Sequence, residues 1–213
     1  MPNRGTFITF EGGEGCGKST QIRLLAQKLQ DAGKQVLLVR EPGGTAAGER
    51  IREILLSKQS DGLEPMAELM LYEAARAQIV SEVIEPALQE GKVVLCDRFF
   101  DSTVAYQGFG RGLDPEMIAK LNLMATGGLE PDLTVLLDID PALGLKRAMA
   151  VTGGDGEGDR IEAAGLAFHQ QIRQGFASLA QQYPERITVI DASGTIEQVA
   201  EQVFAAVSAC ILY

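Results

Sequence analysis

The sequence predicts an α/β protein built as a doubly wound, five-stranded parallel sheet flanked by helices. Short apolar runs alternate along the chain with longer segments of helical periodicity, an order that produces parallel strands joined by right-handed crossovers. A glycine-rich segment stands between the first predicted strand and the first predicted helix, where doubly wound sheets bind phosphate groups. The 213 residues suit one well-buried core. We therefore expect a single domain over residues 1–213, with a flexible lid at about residues 151–161.

The glycine-rich segment is predicted to be a phosphate-binding loop. Residues 12–19 fit the pattern GxxxxGK[ST] at every fixed position, after a strand predicted at residues 6–11 and before a helix that stops at Gly33. In such loops backbone N–H groups surround phosphate oxygens, a lysine reaches the β and γ phosphates, and a hydroxyl serves Mg²⁺. Lys18 and Ser19 fit these roles, and a glycine-rich turn with a chance lysine is the alternative. The predicted ATP-binding residues are Gly12, Gly13, Glu14, Gly15, Cys16, Gly17, Lys18, Ser19 and Thr20.

The second strand and the helices after it follow the same plan. An apolar run at residues 35–39 ends in a charged loop at residues 40–45, at the sheet edge where open α/β sheets bind ligands. A short helix around residues 51–56 follows. Residues 65–91 then have the pattern of a long amphipathic helix, which Pro86 is expected to bend or split.

The third strand carries another motif at its carboxyl end. Residues 92–97 are largely apolar and finish in Asp97, as in a Walker-B strand, and Arg98 comes next. Residues 101–112 mix polar side chains with three glycines. We expect this segment to be too polar for the core and to line a pocket.

The remaining elements complete the alternation. Residues 152–160 contain four glycines and three acidic residues, so this segment is expected to be mobile. The other predicted elements are helices at residues 115–125, 141–151, 162–182 and 196–209, with strands at residues 133–138 and 187–190.

Composition excludes several classes of partner. The net charge of -10 argues against nucleic acid or an anionic membrane surface as the main partner, because both favour broad basic patches. The three cysteines, Cys16, Cys96 and Cys210, are an odd number without metal-ligand spacing, and a disulfide at Cys16 would obstruct the phosphate-binding loop. Free thiols of this kind fit a reducing cytoplasm best. No apolar run approaches membrane-spanning length, and the N-terminus lacks the pattern of an export signal.

The other motifs narrow the type of nucleotide-binding protein. An Asn-Lys-x-Asp motif, expected in a GTPase, is absent from the sequence. DNA-acting ATPases are usually larger, and the acidic balance disfavours them. Arg40, Arg52, Arg76 and Arg98 instead lie at strand ends or on helices beside the loop, with aromatic and amide side chains. These are the components of a second site, for an anionic substrate that carries a base.

Five motifs together narrow the family. They are Glu-Gly-x-Glu-Gly-x-Gly-Lys-Ser at the loop, Arg40-Glu-Pro-Gly-Gly-Thr45, Tyr72 with Arg76, Asp97-Arg98-Phe99 and Ser102-Thr-x-Ala-Tyr-Gln-Gly108. These motifs resemble those of bacterial thymidylate kinases, within the nucleoside monophosphate kinases that have a P-loop. The resemblance runs from about Thr6 to the final helix and implies Mg²⁺-dependent transfer of phosphate from ATP to dTMP, in a cytoplasmic homodimer. A kinase for another small acceptor, or a nucleotide-switched regulatory protein, stays open as an alternative.

The resemblance assigns the thymine base to four side chains. Tyr72 would stack on the ring, Arg76 would hydrogen-bond its edge, and Thr103 and Gln107 would complete its recognition. Arg52 is a further substrate-binding candidate. The simpler alternatives are a half-buried core aromatic at Tyr72 and solvated helix-face charges at Arg76 and Arg52.

The resemblance also implies roles around the phosphates and the sugar. Arg98 would hold the acceptor phosphate, Asp97 would act on Mg²⁺ through water, and Glu14 would face the 3'-hydroxyl and the metal region. Tyr106 would crowd the position of a ribose 2'-hydroxyl. The alternative for Asp97 and Arg98 is a strand-end ion pair. His169, the only histidine, is expected at the surface.

The cation at the transferring phosphoryl group is expected from the lid. Some relatives carry an arginine in the loop at the position of Gly15, and here that position has no side chain. Arg160 is the first candidate and Arg147 the second. Alternatively, Arg160 pairs with Asp159 or Glu162 and caps the following helix.

Overall fold

The computed structural model describes residues 4–151 and 160–211. The predicted lid, apart from its two ends, lies outside the described residues.

The described residues form a parallel sheet that confirms the predicted fold class. Its strand order is β2-β3-β1-β4-β5, and every neighbouring pair is parallel. Five consecutive residues of the central strand are fully buried, as expected for a strand with helices on both faces. The strands are β1 (Phe7–Glu11), β2 (Val36–Arg40), β3 (Val93–Asp97), β4 (Leu133–Asp138) and β5 (Ile187–Asp191).

Helices cover both faces of this sheet. Along β3, Leu95 belongs to a core cluster with the first and last helices, whereas Val94 and Cys96 pack against the helices of the opposite face. The helices are α1 (Lys18–Asp31), α2 (Ala46–Leu56), α3 (Pro65–Ile79), α4 (Glu85–Gln89), α5 (Phe100–Thr103), α6 (Pro115–Thr126), α7 (Pro141–Val151), α8 (Leu166–Gln182) and α9 (Ile196–Ile211).

The long helix predicted at residues 65–91 changes its winding before the proline. A π-helical turn at Val80–Ile84 separates α3 from α4, and Pro86 lies in the first turn of α4. Ile79, Ile84 and Glu85 all keep right-handed helical dihedral angles, so the winding changes without a break in the helix. The expected bend or split is therefore a change of winding, one turn upstream of Pro86.

The segment at residues 101–112 is helical and more deeply buried than predicted. It continues α5 as a π-helical turn at Val104–Gly110, and Asp101, Thr103 and Gln107 are each no more than 1% exposed. The expectation that it is too polar for the core was therefore wrong. Polar side chains can be buried where partners are close: Asp101, for example, accepts hydrogen bonds from Arg186 at 2.6 and 2.8 Å.

The helix predicted at residues 162–182 starts later. A short 3₁₀ turn at Glu162–Ala164 is followed by Gly165, whose φ of +85° is a conformation that glycine adopts at little cost, and α8 begins at the next residue. No helix within the described residues is long and apolar enough to cross a membrane.

Candidate active site

The phosphate loop wraps around the start of α1 and holds its lysine close. Gly17 has a φ of +94°, which glycine tolerates far better than other residues. Lys18 Nζ donates hydrogen bonds to the carbonyl oxygens of Gly12 at 3.1 Å and Gly13 at 3.0 Å, and the side chain is largely buried. Backbone carbonyl groups of the loop therefore hold the lysine at the place where phosphates are expected to bind.

Close packing against α7 explains why position 15 requires glycine. Gly15 has a φ of +65°, and a Cβ atom there would lie 1.9 Å from the carbonyl oxygen of Gly144 on α7. A Cβ on Gly144 would in turn lie 2.4 Å from the carbonyl oxygen of Glu14. The loop and α7 are thus in direct backbone contact, and an arginine at position 15 cannot be accommodated in this arrangement.

Ser19 and Asp97 lie together beside the loop. The Ser19 hydroxyl donates a hydrogen bond to Asp97 Oδ2 at 2.8 Å, because α1 begins at the same sheet edge where β3 ends. One hydroxyl and one carboxylate are oxygen donors of the kind that Mg²⁺ takes from a protein, together with substrate phosphates and water. The two residues therefore fit the predicted metal site.

Arg98 connects the loop with the neighbouring pocket. Its Nη2 donates to Glu14 Oε1 at 2.7 Å, and its Nη1 donates to the carbonyl oxygen of Gly12 at 3.0 Å and to the hydroxyl of Ser102 at 3.2 Å. Its φ of +71° is rare for a residue other than glycine. Backbone conformations of this kind are found preferentially at functional sites. The partner of Arg98 is thus Glu14, not Asp97 as in the simpler alternative.

Glu14 is held in its ionised form. Burial raises the pKa of this carboxyl group, but the positive charges of Arg98 and Lys18 and a hydrogen bond from the Tyr106 hydroxyl at 2.7 Å outweigh burial and lower the pKa to about 2. Glu14 therefore joins Arg98, Lys18 and Tyr106 into one charged group at the boundary between the loop and the pocket.

A pocket of about 110 Å³ lies beside the loop, under α2 and α3. All the side chains predicted to recognise the base and sugar line it. They are Arg52, Tyr72, Arg76, Arg98, Thr103, Tyr106 and Gln107, together with Glu14 and several neighbours.

Arg76 is the most enclosed of these side chains, at 1% exposure. Its Nη1 donates hydrogen bonds to Glu73 at 2.7 Å, Thr103 at 2.9 Å and Asn122 at 3.0 Å, and its Nε donates to Glu41 at 2.9 Å. A solvated helix-face charge at Arg76 is therefore excluded. Two carboxylates and two neutral oxygens fix the guanidinium in place.

The loop at residues 40–45 is braced from α2. Arg40 forms a bidentate ion pair with Glu49 at 3.1 and 3.0 Å, and the Gly44 N–H donates to the same carboxylate at 2.7 Å. Arg52 Nη1 donates to the carbonyl oxygen of Pro42 at 3.0 Å and is half-buried. These contacts hold Arg52 at the pocket wall.

The two candidate arginines of the lid lie in different places. Arg147 lines the cleft around Lys18 and donates to the carbonyl oxygens of Ala192 at 2.9 Å and Ser193 at 3.2 Å. Arg160 is buried away from that cleft, where its Nε donates to the Leu55 carbonyl oxygen at 2.9 Å.

Arg160 has an acidic partner on α3. Its Nη2 lies 2.5 Å from Glu68 Oε2, a charge contact without hydrogen-bond alignment. Asp159 and the side chain of Glu162 lie outside what the structure describes, so pairing of Arg160 with either of them stays an alternative. Arg160 is therefore tied to α3, and only Arg147 is brought to the cleft.

His169 is buried, so the expectation of a surface histidine was wrong. It is 4% exposed, and its ring packs 5.7 Å from that of Phe168, centroid to centroid. The reason is its position on the inner face of α8, beside Glu14 and the loop.

Sequence reasoning missed the carboxylates that support the site. Glu41 and Glu73 hold Arg76, and Glu68 lies behind Gln107 at 2.8 Å. The signal for Glu41 was its place in the Arg40–Thr45 motif, whereas Glu68 and Glu73 resemble any helical glutamate in the sequence.

Glu11, at the end of β1, is a further buried support. It accepts hydrogen bonds from the Phe99 N–H at 2.8 Å and the Ser102 hydroxyl at 2.6 Å, and it is 0% exposed. Burial and the charge of Asp101 raise its pKa to about 7, against the opposing charge of Arg98.

Comparisons with known proteins agree with this geometry. A family model described as thymidylate kinase matches residues 10–203. Proteins named thymidylate kinase from Citrifermentans bemidjiense and Gloeobacter violaceus are 53% and 54% identical, over 91% and 94% of this chain and 87% and 93% of their own lengths. The crystal structure of thymidylate kinase from Ehrlichia chaffeensis superposes with a TM-score of 0.79 at 33% identity, covering 96% of this chain and 99% of that one. The chain belongs to the thymidylate kinase family.

Proposed function

We propose that the protein transfers the γ-phosphoryl group of ATP to dTMP, giving ADP and dTDP. The observation that carries this proposal is that the cleft around Lys18 and the pocket beside it share the side chains of Glu14, Arg52 and Arg98. A nucleotide phosphate in the cleft and an acceptor phosphate at the mouth of the pocket would therefore meet at Arg98. The names of the relatives support thymidylate as the acceptor.

The proposed mechanism is positioning and charge neutralisation. The loop N–H groups and Lys18 hold the donor phosphates, Arg98 holds the acceptor phosphate, and the pocket holds the base. The attacking oxygen of a monophosphate is already anionic, so no general base is required. Fixing donor and acceptor in line, with cations around the transferring group, accounts for catalysis of this type.

We propose Mg²⁺ as the metal cofactor, held by Ser19 and, through water, by Asp97. The support is the hydroxyl–carboxylate pair at 2.8 Å beside the loop. When bound, the ion neutralises charge on the β and γ phosphate oxygens. Removal of Mg²⁺ with EDTA should abolish transfer, and added Mg²⁺ should restore it.

An acceptor panel tests the proposed reaction. ADP release from ATP is measured with dTMP, dUMP, CMP, GMP and AMP in turn, and with no acceptor as the control. We expect dTMP to give the highest kcat/KM and the reaction without acceptor to be negligible. A different preferred acceptor would support another monophosphate kinase, and slow ATP hydrolysis without any acceptor preference would support a regulatory nucleotide switch.

We also propose a homodimer. On α6, the side chains of Leu123 and Met124 are 63% and 77% exposed. Helix α3 packs against α6 and exposes Met66 and Met70. Apolar side chains exposed together on neighbouring helices are typical of an interface. Light scattering should give about twice 22.8 kDa, and Met124→Glu should shift the mass towards one chain. A wild-type mass of 22.8 kDa would contradict the dimer.

The proposed location is the cytoplasm. Its support is that Cys16, Cys96 and Cys210 are free thiols, with Cys16 inside the phosphate loop. A reducing compartment keeps such thiols unpaired. Fractionation of the native host should therefore recover the protein with cytoplasmic markers, and recovery with membranes would contradict this location.

A further inference from the structure

Glu68 on α3 is a buried carboxylate directly behind the base pocket. Its side chain is 1% exposed. It accepts hydrogen bonds from two residues and contacts a third positively charged side chain. Gln107 Nε2 donates to Oε1 at 2.8 Å, and Arg111 donates through Nε to Oε1 and through Nη2 to Oε2, each at 3.2 Å. Arg160 adds the charge contact with Oε2 already described.

These donors keep Glu68 ionised. Burial raises the pKa of the carboxyl group, but the hydrogen bonds from Arg111 and Gln107 and the contact with Arg160 outweigh burial, so the pKa lies below its ordinary value. An ionised carboxylate has only acceptor atoms. Whatever faces Glu68 must therefore be a donor.

This requirement fixes the orientation of the Gln107 amide. The NH₂ end must face Glu68, because a flipped amide would place its carbonyl oxygen against the carboxylate and lose a buried hydrogen bond. Gln107 lines the pocket, and within the described residues its side chain makes only the hydrogen bond to Glu68. The carbonyl oxygen, Oε1, is thus the end of the amide available to the pocket.

We propose that Glu68 is a positioning residue that sets base selectivity by holding the Gln107 amide with its carbonyl oxygen towards the substrate. The inference rests on the proposed function. An acceptor oxygen at this point matches the ring N3–H of thymine or uracil. Cytosine has an unprotonated N3, so its N3 and Gln107 Oε1 would be two hydrogen-bond acceptors facing each other with no hydrogen between them. Arg111 and Arg160 serve this selection indirectly, by keeping Glu68 charged.

The test compares dTMP, dUMP and dCMP as acceptors for the wild type and for Glu68→Gln. A glutamine at position 68 can present either end of its amide, so the Gln107 amide is free to turn. We expect the kcat/KM ratio of dTMP to dCMP to fall by roughly tenfold or more, the scale of one buried hydrogen bond to a charged group. The ratio of dTMP to dUMP should stay within about threefold, because both bases carry N3–H.

Two further variants separate selectivity from stability. Arg111→Lys loses the two-point hydrogen bonding to Glu68 but keeps a cation beside it, so Glu68 stays charged and in contact with Gln107. This variant should lower the melting temperature and keep the acceptor ratio. The exchange Glu68→Gln with Gln107→Glu moves the carboxylate to the pocket side, where an acceptor again faces the base. It keeps the charge in the cluster and should restore the preference for dTMP over dCMP.

The outcomes distinguish this inference from the proposed function. If the wild type phosphorylates dTMP poorly, the proposed function fails. If it prefers dTMP and Glu68→Gln lowers turnover equally for dTMP and dCMP, the proposed function stands and the role of Glu68 is overturned. If Glu68→Gln does not fold, the exchange variant decides: a retained preference for dTMP supports the inference, and an equal rate with dCMP contradicts it.

Discussion

The phosphate cleft and the base pocket lie side by side at one edge of the sheet, but the chain builds them differently. The cleft is centred on a single continuous loop whose lysine is held by the loop's own carbonyl groups, and side chains from other elements complete its walls. The pocket takes side chains from several elements, and these are fixed by buried carboxylates such as Glu41, Glu68 and Glu73. The cleft can therefore bind phosphate through backbone geometry, whereas the pocket depends on networks of buried side chains.

This difference implies different sensitivities to mutation. A loop that binds through backbone N–H groups should lose chemistry, but little stability, when its lysine is removed. A buried ion-pair network should lose stability together with recognition, because removing one partner leaves the other charge unpaired.

The largest expected effect is at Lys18. Lys18→Ala should lower kcat by roughly 10³-fold or more, since a cation at the transferring phosphoryl group is worth about 10³–10⁵ where arginine fingers have been measured. The melting temperature should change little. Lys34→Ala, at an exposed position after α1, is the control. Near-normal turnover of Lys18→Ala would mean that the loop does not hold the donor phosphates.

The next effect separates the two candidate arginines. Of the two candidates, Arg147 lines the cleft and Arg160 does not. Arg147→Ala should therefore lower kcat on the order of 10²-fold, the range for one lost electrostatic donor. Arg160→Ala should mainly lower the melting temperature, because it leaves Glu68 without one of its buried partners. A greater loss of kcat in Arg160→Ala would instead indicate that the lid carries Arg160 to the phosphates, as the sequence predicts.

Gln107 tests the pocket side of the comparison. Gln107→Ala should cost about 1–3 kcal/mol in kcat/KM for dTMP, the range for an unsatisfied buried polar group. It should also narrow the ratio between dTMP and CMP. Gln171→Ala, exposed on α8, serves as the matched control. An unchanged ratio in Gln107→Ala would assign base recognition to other side chains.

The smallest effect on activity is expected at Glu11, whose influence is on stability. Its pKa is raised from 4.5 to about 7 in the folded state, so the folded protein binds this proton more tightly than the unfolded chain does. Stability should therefore fall as the pH rises from about 4.5 to about 7. Above about pH 7 Glu11 is ionised in both the folded and the unfolded state, so it contributes no further change in stability.

Urea unfolding of Glu11→Gln at pH 5 and pH 8 measures this contribution. The amide keeps the contacts with Phe99 and Ser102, so the variant should lose about 2–3 kcal/mol of the wild-type pH dependence. Glu201→Gln, exposed on α9, should retain it. An identical pH dependence in Glu11→Gln and the wild type would show that this carboxyl group titrates normally.

The same difference explains what could be predicted from the sequence. Strand positions came from local apolar runs, and the bounds of β3 and β4 lie within one residue of those expected. The Ser19–Asp97 pair followed from two motifs at one sheet edge. The contact between Glu68 and Gln107 joins residues 39 positions apart through the packing of two helices, and no spacing rule predicts it. The burial of His169 depends likewise on how α8 is rotated against the sheet.

Binding titrations of two variants test most directly the claim that phosphate and base are recognised in separate regions. Lys18→Ala and Gln107→Ala are each titrated with dTMP and with a non-hydrolysable ATP analogue by calorimetry. We expect Lys18→Ala to bind dTMP nearly as the wild type does and to lose affinity for the ATP analogue, and Gln107→Ala to do the reverse. Equal loss of both ligands in both variants would contradict the account.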